Sequence, residues 1–103
     1  MATTHQVTMA EIAERLVSTI STELSVQGVW IEPVGDRLDF WVITDDIDSD
    51  TELRIYRHHA DLYNWFPELL MHFHVIFSEM FEPGTRLIER VVPRSARRVY
   101  ARA

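Results

Sequence analysis

His72 and His74 sit two residues apart in the apolar run Leu70 to Phe77. On an extended strand such residues project from the same face with α-carbons about 6.6 Å apart, so both imidazoles can converge on one divalent cation. Two ligands do not complete a site. A zinc-type cation takes three or four donors, and Glu32 and Asp39 are the carboxylates that a neighbouring hairpin would offer beside the histidines. A water held by such a cation would be a nucleophile, which is the reading of a metal-dependent enzyme. The plainer reading is a pair of histidines bonded to carboxylates or water on an open sheet face. His58 and His59 are neighbours on a helix and diverge by about 100°, so they form no chelate of their own. Asp45, Asp46, Asp48 and Asp50 crowd one loop but lack the central glycine and distal glutamate of a calcium loop. There is no phosphate-binding glycine loop, nucleophile-elbow serine or zinc-protease helix motif, and no cysteine.

The elements that must position these groups follow from periodicity. Thr8 with Glu11 has the form of a capping box, and Met9, Ile12, Ala13, Leu16, Val17, Ile20 and Leu24 recur at three- and four-residue spacing, so an amphipathic helix starts near Met9. Gly28 is placed to end it or turn the chain. Val29 to Glu32 reads as a strand limited by Pro33 to an edge or an end. Gly35-Asp36 is a turn signal, and Leu38 to Thr44 is the return strand. Ser49 with Glu52 repeats the capping-box pattern. A second helix runs from about Asp50 to Phe66, with Leu53, Tyr56, Ala60 and Tyr63 as its apolar stripe and Ile55, Leu62 and Phe66 on the flank. Met71 to Phe77 is a third strand with Met71, Phe73, Val75 and Phe77 facing the core. Thr85 to Val92 reads as a short helix and Ala96 to Ala101 as a last strand. The expected fold is a single two-layer α+β domain over residues 1–103, in the order α-β-β-α-β-(short α)-β. Both long helices are expected on one face of a three- or four-stranded mixed sheet.

The opposite face then carries Trp30, Glu32, Asp39, Trp41, His72 and His74. Large aromatics exposed together mark an interface, so Trp30, Trp41, His72 and His74 are the expected contact residues of a homodimer or a protein partner. The competing expectation is that the C-terminal segment of the same chain covers that face. The net charge of −6 divides into −11 over residues 1–85 and +5 over 86–103. A basic tail of this kind either packs back on its acidic body or reaches out to an acidic partner. The apolar anchors Leu87, Ile88, Val91, Val92, Val99 and Tyr100 favour packing on the body, with residues 1–7 frayed at the other end. Nucleic-acid binding through Arg94, Arg97, Arg98 and Arg102 is the third reading, and the acidic body weighs against it.

Apolar residues make up 47% of the chain and charged residues 25%, which is globular composition. No apolar run reaches the length of a membrane span, and the polar N-terminus has no secretory pattern, so a cytoplasmic location is expected.

The succession of an amphipathic helix, a hairpin containing Leu38 to Ile43, a helix, the strand Phe73-His74-Val75-Ile76 and the closing Arg98 to Arg102 resembles the small nucleotidyltransferase-type domains of bacterial toxin-antitoxin pairs. That resemblance implies a Gly-Ser phosphate loop at the first turn, an Asp-x-Asp magnesium pair on the second strand and a further acid on the third. The chain has Pro33-Val34-Gly35-Asp36, Asp39-x-Trp41 and His72/His74 at those places. The implied outcome is a scaffold whose catalytic motif is lost. The expectation is therefore a non-enzymatic association module of a bacterial cytoplasmic protein without a cofactor, the alternative being a divalent metal at His72, His74, Glu32 and Asp39.

Overall fold

A computed structural model describes residues 8–45, 48–78 and 91–102. Its elements run α1 (Met9–Ile20), β1 (Val26–Val34), β2 (Arg37–Thr44), α2 (Ser49–Trp65), β3 (Leu70–Phe77) and β4 (Arg97–Ala101). The expected short helix from Thr85 falls mostly outside the described residues. The fold is α+β: the two helices pack on one mixed sheet of order β3-β2-β1-β4, in which β2 runs parallel to β3 while β1 is antiparallel to both β2 and β4.

Thr8 caps α1, its Oγ1 accepting from the Glu11 amide at 3.2 Å, which satisfies a donor that the first turn leaves without a helical partner. The α1 stripe buries Ile12, Leu16 and Ile20. Leu24, expected on the same stripe, lies beyond the helix end and is 76% exposed. The hairpin turns on Gly35, whose φ of 61° fills the first central position of a two-residue loop between Val34 and Arg37, as a type II′ turn requires.

Gly28 does not end the helix. It lies inside β1, next to a register irregularity at Val26/Gly28, and the Trp30 ring crosses it so closely that an added Cβ would stand 2.6 Å from two indole carbons. The glycine therefore makes room for a side chain. Pro33 is tolerated at the far end of β1 because β4 pairs with β1 only as far as Ile31.

Ile12, Leu16, Ile20, Val29, Ile31, Phe40, Val42, Ile55, Leu62 and Phe73 form one core between sheet and helices. The inward face of α2 is Thr51, Ile55 and Leu62, so the expected stripe is out of phase: Leu53, Tyr56 and Tyr63 are exposed. The cap also moves by one residue, since Asp48 rather than Ser49 accepts from the Asp50 amide, at 3.1 Å. Glu23, in the α1–β1 connection, contacts α2 in this phase. It accepts from Arg54 Nε at 3.0 Å and lies 3.3 Å from His58 Nε2. Burial pushes the Glu23 carboxyl up, and the bonds from Arg54 and His58 outweigh it, holding the group below its ordinary value.

Among the described residues no helix is long and apolar enough to cross a membrane.

Three substitutions test this packing. Ile55→Ala costs about 2–5 kcal/mol of unfolding free energy, as truncation of a fully buried aliphatic does, whereas Leu24→Ala changes it by no more than about 0.5 kcal/mol. Gly28→Ala costs about 1–3 kcal/mol by overpacking beneath the indole. Urea unfolding measures all three.

Candidate functional site

Alternation across the sheet brings the sequence-predicted residues onto one face in two rows. Trp30, Trp41 and His74 align across β1, β2 and β3, and Glu32, Asp39 and His72 align in the next row. The face is not open along its length. Trp30 and Trp41 are only 8% and 7% exposed and pack with Ile43, Val92, Val91, Ala96 and Ile76 in a second apolar cluster. The expectation of exposed indoles thus fails, because the segment entering β4 covers them from the same chain. Their contact area is used within the fold.

The described end of the chain also folds back. Arg102 donates from Nε to the Val26 carbonyl and from Nη2 to the carbonyls of Ser21 and Glu23, each at 3.0 Å. Its Nε and Nη2 are engaged at the turn after α1. Arg94, Arg97 and Arg98 remain exposed.

At the other end of the face, three of the four proposed ligands converge. Single donor atoms of Asp39, His72 and His74 all lie within 4.8 Å of one another. Asp39 is buried and held by Arg37, an orienting residue that sequence reasoning missed: Nε donates to Oδ1 at 2.7 Å and Nη2 to Oδ2 at 3.4 Å. The signal for it was the i, i+2 spacing of Arg37 and Asp39 on one strand face. His74 Nε2 faces the second carboxylate oxygen at 3.7 Å and has no hydrogen-bond partner despite being buried. The His74 ring stacks on Trp41, with centroids 4.8 Å apart and planes at 14°, and tilts against His72 at 4.4 Å. Glu32 belongs to the same row but not to the cluster, its Oε2 accepting from the Ser95 hydroxyl. Directly opposed carboxylates such as Glu32 and Asp39 repel; Arg37 on one and Ser95 on the other relieve that.

The hydrogen bond from Arg37 is the main reason the Asp39 carboxyl lies below its ordinary value, with burial opposing it and His74 and His72 adding to it. On the helical side of β3, His59 stacks on Phe73 with centroids 4.3 Å apart; burial pushes its imidazole down, and His72 adds to that. Beside it a shallow apolar groove separates α2 from β3, lined by Tyr56, Ala60, Tyr63, Leu69 and Leu70.

Comparison with known proteins finds no matching family model and no match among curated proteins or solved structures.

The depressed Asp39 value has a consequence for acid stability. The ionised carboxylate stabilises the fold at every pH above the unfolded value near 4, and that contribution is lost as pH falls through the lower folded value. Asp39→Asn therefore weakens the protein at pH 7, and its deficit against the parent shrinks as pH falls below about 4. Thermal melts across that range measure the difference.

Proposed function

We propose that the protein is an association module that works as a homodimer, and that the contact is the β3 edge with the exposed stripe of α2 rather than the indole face. The observation that carries this reading is the self-complementarity of that edge. β3 is eight residues long with no proline and no formally charged residue, and among the described residues nothing pairs with its outer side. Natural edges are normally blunted by charge, proline or bulges; the opposite edge, β4, carries Arg97 and Arg98. About Phe73 the strand is nearly symmetric, with His72 against His74, Met71 against Val75 and Leu70 against Ile76. Antiparallel pairing about a two-fold at Phe73 therefore keeps each side chain on its own sheet face.

The helix obeys the same axis. Tyr56 and Tyr63 are equidistant from the His59-Ala60 pair, and His59 lies stacked on Phe73. A two-fold through Phe73 thus passes near the middle of the tyrosine stripe, where the small Ala60 allows two helices to approach. Leu53, Tyr56, Tyr63 and Leu70 are 59%, 40%, 51% and 58% exposed. Two copies together would bury on the order of 1,000 Å² of these side chains, the lower limit of a specific interface, before strand pairing is added. The second copy is the occupant favoured because both elements are symmetric about one point, which a foreign partner would not require. The missing phosphate loop and carboxylates of the nucleotidyltransferase resemblance accord with a scaffold role, and no nucleotide chemistry is assigned.

Sedimentation velocity tests the reading. The parent protein runs as a dimer at micromolar concentration. Tyr63→Glu and, separately, Val75→Pro give folded monomers by sedimentation and circular dichroism. A parent protein that stays monomeric at millimolar concentration, or variants that stay dimeric, would overturn it.

A further inference from the structure

We infer that Asp39, His72 and His74 form a binding site for one divalent transition cation of the zinc class. Three features of the cluster lead there, and none depends on dimerisation.

The first is convergence from a rigid base. The donors stand on adjacent parallel strands in unbroken register, Asp39 opposite His72 and Trp41 opposite His74. Three donors on one tetrahedral zinc-class ion at about 2.0–2.2 Å stand about 3.3–3.6 Å apart. Asp39 Oδ2 and His74 Nε2 are already at 3.7 Å, and the widest separation in the cluster is within 4.8 Å. Closing the remainder takes side-chain rotation of His72, the exposed member, while stacking on Trp41 keeps the His74 plane fixed.

The second is an unsatisfied atom. His74 Nε2 is buried without a hydrogen-bond partner, a costly condition for a ring nitrogen. It is aimed at the Asp39 oxygen but stops short of a hydrogen bond. A cation between them satisfies both.

The third is the support behind the carboxylate. Arg37 holds Oδ1 at 2.7 Å and leaves Oδ2, only weakly bonded at 3.4 Å, turned toward the imidazoles. Such outer partners fix a ligand's orientation. Two imidazoles with one carboxylate select zinc, cobalt, nickel, copper or ferrous iron over magnesium and calcium, which take oxygen donors. Three protein donors leave the remaining positions to water.

Protein prepared without a polyhistidine tag and stripped with chelator is titrated with Co²⁺, followed by visible absorption, and with Zn²⁺, followed by calorimetry. One cation per chain is taken up saturably at micromolar concentration, and a tenfold excess of Mg²⁺ does not compete. His72→Ala combined with His74→Ala abolishes uptake, and Arg37→Ala weakens it about 10–100-fold, with circular dichroism reporting the fold of each. Tyr63→Glu, which disrupts the proposed dimer, still takes up one cation per chain, since all three donors come from a single copy, so the two readings fail separately. No saturable uptake by the parent protein, or uptake retained by the double histidine variant through His58 and His59, would overturn the site.

Discussion

Every residue of β2 from Asp39 to Thr44 is buried, so this strand has no solvent face to absorb an error of register. Phe40 and Val42 enter the core beneath the helices, while Trp41 and Ile43 enter the cluster beneath the C-terminal segment. A slip of one position would send the indole among the helices and Phe40 to the other side. Because β1 pairs with one edge of β2 and β3 with the other, the phase of this strand determines which side chains meet on both faces. The row Glu32–Asp39–His72 and the row Trp30–Trp41–His74 both follow from it.

That phase was readable because a strand's alternation needs no tertiary information. Leu38, Phe40 and Val42 make one wholly apolar side while Asp39 marks the other, and the two hairpin strands are joined by a loop too short to leave the pairing open. The helices were less legible. In α1 one stripe dominates and the reading was right apart from Leu24. In α2 two stripes compete, and Leu53, Tyr56, Ala60 and Tyr63 look more apolar than Thr51, Ile55, His58 and Leu62. Burial of Ile55 and Leu62 decides between them, and polar contacts from outside the helix accompany that phase: Glu23 engages Arg54 and His58, and Thr51 is buried with its hydroxyl bonded to Asp48. Local periodicity contains no trace of Glu23, thirty-one residues away from Arg54 in sequence.

The candidate site was legible in part for the same reason. Alternation puts four possible ligands on one face but does not choose among them. Register and the neighbours choose: Asp39 is beside β3 while Glu32 is one strand further away and engaged by Ser95. The cover over the indoles depended on a long-range return of residues 91–96, which composition could suggest only as one of two outcomes. A glycine that ends a helix or turns the chain and one that lies under a tryptophan ring, as Gly28 does, look alike in sequence.

The parallel stacking of Trp41 on His74 gives the sheet an optical consequence. The emission of an indole stacked on an imidazole responds to what that ring binds. Trp41 is the tryptophan in that contact, while Trp65 lies under the Arg15 guanidinium at 3.7 Å. What binds at the His74 ring is therefore reported by the emission of a chromophore the chain already contains, with no label attached.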